Sequence, residues 1–145
     1  MVLGSFPDVC VADVAQSIAF YRSLLGLDVI VDHGWYSELG TGGQTLLALV
    51  RRDHETIPAA AHTSPRGVVV SFEVDNVDDV YVTATRLGCP VFVTIASELG
   101  QRHFMVADPD GAVVDIIERI PLTKTDLRRL AHYRRRHALG SATCQ

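Results

Sequence analysis

Apolar and polar positions in the first part of the chain follow two different periods. Residues 14–25 carry apolar side chains at helical spacing, with Asp13 placed to cap the start and Gly26 placed to end it in a left-handed conformation. Short runs of apolar and β-branched residues flank this segment and predict strands. These runs are residues 9–11 before the helix and residues 27–31, 35–39 and 45–50 after it. The pattern predicts the order βαβββ.

The same order recurs in the second half of the chain. Residues 77–87 predict a helix that Asp75 or Asn76 caps and Gly88 closes. The strands predicted around it are residues 68–74, 91–95, 101–106 and 112–118, the last two joined by the turn Asp108-Pro109-Asp110-Gly111. Aligning the two helix caps and the two closing glycines superimposes the halves as a duplicated unit. The predicted fold class is α+β, with two tandem βαβββ modules and a C-terminal helix.

The modules and the segments around them divide the chain into four parts. These are a first module (residues 1–52), a linker (53–66), a second module (67–120) and a basic C-terminal helix and tail (121–145). The linker is polar, contains proline and lacks a clean period. The last helix is predicted over residues 123–138, with Thr123 or Thr125 as its cap and Gly140 at its end.

Composition restricts the class of protein. The 145 residues are 48% hydrophobic and 21% charged, with a formal net charge of -4, which excludes a disordered chain. Apolar runs end well short of the roughly 20 residues of a membrane-spanning helix, and no basic-then-apolar leader begins the chain, so a cytoplasmic protein without a membrane partner is expected. Cys10, Cys89 and Cys144 are an odd number without C-x-x-C spacing, which disfavours a disulfide framework and a zinc knuckle.

Charge is divided unequally between the body and the tail. Residues 1–118 contain 6 Lys/Arg and 16 Asp/Glu, a net charge of -10, whereas residues 119–145 contain 7 and 1, a net charge of +6. An acidic body argues against a nucleic-acid partner, and no aromatic interleaving accompanies the run Arg134-Arg135-Arg136. The basic run is interpreted as a solvated face or as a clamp onto the acidic body in a dimer.

Motifs in both modules carry a resemblance to a known family. The first module contains Val11-Ala12-Asp13-Val14, Ser17-Ile18-Ala19-Phe20-Tyr21-Arg22 and Leu24-Leu25-Gly26; the second contains Phe72-Glu73-Val74-Asp75 and Val113-Val114-Asp115 after the Asp-Pro-Asp-Gly turn. Over residues 5–119 the chain resembles the vicinal oxygen chelate superfamily of glyoxalases, extradiol dioxygenases, and fosfomycin- and bleomycin-resistance proteins. The resemblance implies that the strands curl into a concave mixed β-sheet around a ligand, in a homodimer that shares its sites.

The resemblance also implies where a metal ligand would stand, and three of the four positions are apolar. They fall on Phe6, on Val69, on Leu47 or Ala48, and on Asp115. A catalytic divalent metal generally needs about three protein ligands. A single carboxylate does not meet that need, so neither a bound metal nor another cofactor is expected.

Strand alternation and the resemblance together nominate the residues of a ligand site. Side chains two apart on a strand share a face, so the positions above extend along their strands. The predicted ligand-binding residues are Phe6, Asp8, Trp35, Leu46, Ala48, Glu73, His103, Met105 and Asp115. Apolar walls with a few polar groups suit a planar hydrophobic ligand. Phe6 and Trp35 would stack on this ligand, and the carboxylates would bind its positive or hydrogen-bond-donating groups. Asp115 and His103 also have ordinary interpretations, as a hydrogen-bonded strand carboxylate and a satisfied rim histidine.

Four functions are compatible with these residues. The leading hypothesis is a metal-independent small-molecule binding protein of the antibiotic- or natural-product-sequestering type rather than an enzyme. The alternative is a metal-dependent glyoxalase-like lyase or isomerase, or a dioxygenase-related enzyme, with ligands from Asp115, His103 and a second subunit. Metal-independent acid–base catalysis by His103 and Asp115, and a regulatory module that uses the basic tail, are the remaining hypotheses. No catalytic residue is assigned.

Overall fold

The computed structural model describes residues 1–138, with side chains through residue 135. The predicted helix end at Gly140 and the cysteine Cys144 lie outside the described residues. The first module contains β1 (Asp8–Val11), α1 (Val14–Leu25), β2 (Asp28–Asp32), β3 (Tyr36–Thr41) and β4 (Gln44–Arg51). The second contains β5 (Val69–Glu73), α2 (Val77–Arg86), β6 (Val91–Glu98), β7 (Gln101–Ala107) and β8 (Val113–Arg119), and α3 (Lys124–Ala138) follows. A 3₁₀ turn, Ala59–Ala61, interrupts the connection between the modules.

Each module forms a four-stranded mixed sheet with the same topology. The strand order is β1-β4-β3-β2 in one sheet and β5-β8-β7-β6 in the other, with β1 parallel to β4 and β5 parallel to β8. The predicted duplication and the α+β fold class are therefore confirmed. Most predicted strands differ from the observed ones by one or two residues, but β6 is three residues longer than predicted. Its polar end stays paired to β7 up to a tight turn at Leu99 and Gly100, both at positive φ.

The helices of the two modules, α1 and α2, begin and end close to the capping signals in the sequence. The Asp13 carboxylate accepts a hydrogen bond from the Gln16 backbone N–H, and the Asn76 side chain accepts two from the first turn of α2. The open choice between Asp75 and Asn76 is thereby resolved for Asn76. Gly26 closes α1 at φ 66°, a left-handed conformation that favours glycine.

Alternation along the strands separates a helix-facing core from a second face, which we call the open face of each sheet. The helix-facing side chains form one core shared by both modules, with α1 in contact with α2. Its strand members include Val9, Val11, Leu39, Leu47, Leu49, Val70, Phe72, Phe104, Val106, Val114 and Ile116. Side chains at the intervening positions lie on the open faces.

Polar contacts fasten the modules and the connection to each other. The Tyr21 hydroxyl of α1 donates to Asp108 at 3.1 Å, and the Ala12 backbone N–H donates to Asp110 at 3.0 Å. Arg52 pairs with Asp110 and also donates to Ser64 at 3.2 Å, which holds the connecting segment against the first module. Among the described residues, no helix is long and apolar enough to cross a membrane.

Candidate functional site

Strand register places Ala48 and Asp115 in equivalent positions of the two modules. Ala48 lies between Asp8 on β1 and Glu38 on β3, just as Asp115 lies between Ser71 on β5 and Met105 on β7. The register also resolves the choice left open in the sequence. Leu47 belongs to the helix-facing core, whereas Ala48 lies on the open face with the neighbours that Asp115 has in the other module.

One group of predicted residues lies on the open face of the second sheet. Nδ1 of His103 lies 3.0 Å from Oδ1 of Asp115, and Asp115 is only 7% exposed. Met105 is paired with Asp115 in the ladder, and both His103 and Glu73 are paired with Ile117. Glu73 is exposed and forms an ion pair with Arg119 at 3.0 Å. His103, Met105 and Asp115 therefore form a half-buried patch, and Glu73 lies at its rim.

A second group lies on the open face of the first sheet. Glu38 accepts hydrogen bonds from the Thr45 hydroxyl at 2.6 Å and the Tyr36 hydroxyl at 2.9 Å, which lower the pKa of Glu38. Desolvation and the bond to Glu38 raise the pKa of Tyr36 to about 12. Desolvation and the negative charge of Glu38 raise the pKa of Asp8. The sequence left Trp35 and Tyr36 as alternatives for a pocket wall, and it did not nominate Glu38. Glu38 is the β3 partner of Ala48, so alternation along β3 places Tyr36 on the same face once that register is known.

Trp35 and Phe6, the two aromatic residues predicted to stack on a ligand, have surroundings that the sequence did not predict. The Trp35 indole stacks on the His54 imidazole, with ring centroids 3.7 Å apart and planes inclined by 4°. One face of Trp35 is thus covered by the connecting segment, and only the other could meet a ligand. Phe6 precedes β1 and is 42% exposed.

Two clefts lie between the modules. Leu46 and Glu73 both line the smaller one, of about 170 Å³, where the start of β4 approaches the end of β5. The larger one, of about 260 Å³, lies between Asp8 and Cys10 of β1 and Val68 and Val70 beside them, and the connecting segment covers it. Burial raises the pKa of the Cys10 thiol, so this cysteine is not activated as a nucleophile.

The predicted site residues are therefore divided between two surfaces of one chain. Among the described side chains, no hydrogen bond, ion pair or ring contact joins the His103 and Asp115 pair to the Asp8 and Glu38 group. Leu46 and Glu73 are the two predicted residues from different modules that line the same cleft.

The donor set on these surfaces does not suit a catalytic metal. Within residues 1–138, no group of three or more His, Cys, Asp or Glu side chains is arranged to hold an ion. His103 and Asp115 are two donors, and they contact each other. A catalytic site of about three protein ligands would need one more from outside the described chain.

Comparison with known families identifies the class to which this geometry belongs. The model of the Glyoxalase/Bleomycin resistance protein/Dioxygenase superfamily matches residues 5–116. The chain belongs to this superfamily, as the motifs around the Asp13 cap and the Asp108 turn predicted. No curated protein matches the chain.

Solved structures show the same fold at low sequence identity. A protein of unknown function from Agrobacterium tumefaciens str. C58 is 24% identical, with a TM-score of 0.67 over 83% of this chain and 96% of that one. Lactoylglutathione lyase from Agrobacterium tumefaciens is 21% identical, with a TM-score of 0.63 over 81% and 95%. TioX from Micromonospora sp. ML1 is 18% identical, with a TM-score of 0.63 over 81% and 100%. At these identities the likeness concerns the fold.

Proposed function

We propose that this chain is a metal-independent binding protein for a small planar or hydrophobic molecule, such as an antibiotic or another natural product. The observation that carries the proposal is which side chains occupy two equivalent positions of the modules. Ala48 has no donor atom, and the Asp115 carboxylate is already engaged by His103. These two positions therefore favour a site that binds a molecule without a metal.

The second sheet supplies a surface with the mixed character of ligand sites. Met105 and Ile117 offer apolar contact area, and the His103–Asp115 pair is a preorganised polar group beside them. The hydrogen bond uses Nδ1 of His103, so the other ring nitrogen, Nε2, is available to a ligand. A planar molecule lying on this patch would gain apolar burial and one directed hydrogen bond.

The first sheet favours a ligand with positive or hydrogen-bond-donating groups. Asp8 and Glu38 flank Ala48, whose side chain is fully buried and carries no donor atom. The partners of Glu38 are two hydroxyls rather than a cation. An amine or amidine group would offset the desolvation and the negative charge of Glu38, which together raise the pKa of Asp8.

A homodimer would bring these two surfaces to one ligand. The His103 patch and the Asp8 patch are separate within one chain, and a second copy would set the open face of one module against that of the other. The proposed site is thus completed by the partner subunit.

Isothermal titration against bleomycin, mitomycin C and quinoxaline-2-carboxamide tests the proposal. We expect saturable binding of at least one of them, weakened about tenfold or more by His103→Ala and Asp115→Asn because the directed polar group is lost. The matched controls are His33→Ala and Asp28→Asn, which make the same changes at exposed positions of the first module. Absence of binding at high micromolar concentrations of all three compounds, or equal losses in the controls, would contradict it.

A further inference from the structure

The larger of the two clefts lies where the edges of the two sheets meet. β1 and β5 are edge strands of their sheets, and residues of both line this cleft. Its deepest lining residues are buried and apolar, with Val9 at 5%, Val70 at 7% and Ala112 at 2% exposed. Residues 61 and 63–66 of the connecting segment close one side. The cleft therefore has an apolar floor and polar walls that come from different parts of the chain.

Two exposed side chains of opposite charge line the same cleft. Asp8 belongs to β1, and Arg66 belongs to the connecting segment. Among the described residues, no ion pair joins Asp8 to Arg66 or either of them to another side chain. A carboxylate and a guanidinium that face one cleft without contacting each other complement a ligand that carries both charges.

Ser64 adds a hydrogen-bond donor on the side of Arg66. Its hydroxyl oxygen accepts a hydrogen bond from Arg52 at 3.2 Å, which leaves the hydroxyl proton to be donated to a ligand. The connecting segment thus supplies donors for an anionic group, and β1 supplies an acceptor for a cationic one. Desolvation, and then the charge of Glu38, raise the pKa of Asp8, and a bound ammonium group would offset both effects.

The size of the cleft restricts the ligand. Its volume of about 260 Å³ lies below the roughly 300–1,000 Å³ of sites for drug-sized molecules. The apolar floor suits a short hydrocarbon chain, and the walls suit one carboxylate and one ammonium group. An α-amino acid with a branched aliphatic side chain carries these three groups on a single carbon atom. A ligand with one charge would leave either Asp8 or Arg66 without a partner.

We infer that the cleft between β1, β5 and the connecting segment binds an aliphatic α-amino acid in its zwitterionic form. The carboxylate of the amino acid meets Arg66 and Ser64, its ammonium group meets Asp8, and its side chain lies on the apolar floor. This site shares only Asp8 with the site proposed for a planar molecule and takes a ligand of another class. Each of the two proposals can therefore fail without the other.

Titration calorimetry of the full chain with L-leucine tests the site. The comparison ligands are 3-methylbutylamine, which lacks the carboxylate of leucine, and 4-methylpentanoate, which lacks its ammonium group. We expect saturable binding of L-leucine, and binding of each comparison ligand weaker by about fivefold or more, because each loses one charged contact.

Substitutions at the two charged walls assign each end of the amino acid. Arg66→Gln should weaken L-leucine about fivefold and change the affinity for 3-methylbutylamine less than about twofold, since the amine makes no contact that Arg66 supplies. Asp8→Asn should weaken L-leucine similarly and leave 4-methylpentanoate unweakened. Arg86→Gln and Asp28→Asn, the same changes at exposed positions outside the cleft, are the matched controls.

Cys10 provides a second readout because its half-buried side chain lines the cleft. Saturating L-leucine should slow alkylation of Cys10 by iodoacetamide about threefold or more, by occupying the path to the thiol. Cys89 is also half-buried but does not line the cleft, so its alkylation should be unchanged. Peptide mass spectrometry measures both rates in the same sample.

The contrary outcomes are specific. Absence of L-leucine binding at high millimolar concentration overturns the inference, and so does equal affinity for leucine and either comparison ligand. Unchanged L-leucine affinity in Arg66→Gln, or equal protection of Cys10 and Cys89, places the amino acid elsewhere and overturns it too. Titration of the Arg66→Gln chain with the planar compounds separates the two proposals, because their binding should not depend on Arg66.

Discussion

Ala48 and Asp115 are equivalent residues of a duplicated unit, and they differ in the one property that metal binding requires. Each is the middle residue of three paired strands on an open face. Asp115 offers a carboxylate that His103 engages, and Ala48 offers a methyl group. Both modules have this backbone position, but the side chain there is part of a polar pair in the second module and a buried methyl group in the first.

The chain should carry no stoichiometric metal when purified without chelator. The reason is the donor count, because His103 and Asp115 supply two of the roughly three ligands that a catalytic ion needs. Elemental analysis after dialysis against zinc, iron and manganese salts measures the metal content. Ligand titration with and without EDTA then shows whether ligand binding depends on a metal. One tightly held ion per chain, with binding that EDTA abolishes, would favour the metal-dependent lyase or isomerase instead.

Local signals in the sequence were sufficient for most of the fold. The caps at Asp13 and Asn76 and the left-handed Gly26 depend on residues within one turn, and strand parity follows from alternation. Parity extended the face from Phe6 to Asp8, whereas the resemblance supplied the orientation of His103, Met105 and Asp115 and left the choice between Leu47 and Ala48 to the strand register. These features are predictable because each is determined by near neighbours in the chain.

Contacts made by the connecting segment could not be predicted in the same way. The stack of Trp35 on His54 and the bond from Arg52 to Ser64 join residues 12 or more apart through a stretch without a period. Their partners depend on how two folded modules close around the segment. The separation of the site residues into two surfaces is likewise a property of module packing, which no strand pattern contains.

Replacing Arg52 should destabilise the protein and release the connecting segment. Arg52 is paired with Asp110, whose side chain is only 6% exposed, and it also holds Ser64. Arg52→Ala leaves the Asp110 carboxylate without its cation, at a cost of about 2–4 kcal/mol in the free energy of unfolding. Urea denaturation gives this value, and limited proteolysis should show faster cleavage within residues 53–66. Arg51→Ala, which removes an exposed pair with Asp53, is the control, and equal effects in both variants would refute the assignment.

Two glycines of the β3–β4 hairpin should respond very differently to alanine. A Cβ at Gly40 would fall on the backbone carbonyl of Gln44, which cannot move without breaking the ladder. Gly42 has open space around it and a φ of +57°, so its substitution meets only backbone strain. Gly40→Ala should cost about 3 kcal/mol and Gly42→Ala about 1 kcal/mol in thermal or urea unfolding. Similar losses for the two would show that the close approach at Gly40 is absent in solution.

The stability of the first sheet should depend on pH through Asp8. Desolvation, and then the charge of Glu38, raise the pKa of Asp8 in the folded state. A carboxyl group with a raised folded pKa contributes stability below its unfolded pKa and loses that contribution as pH rises through the folded value. Asp8→Asn removes this titration, so the variant should gain stability relative to the unmodified chain between about pH 3 and pH 7. Urea denaturation of both proteins across that range gives the difference directly. If the difference in the free energy of unfolding stays constant with pH, or favours the unmodified chain at neutral pH, then Asp8 is fully hydrated and its pKa is not changed by the charge of Glu38.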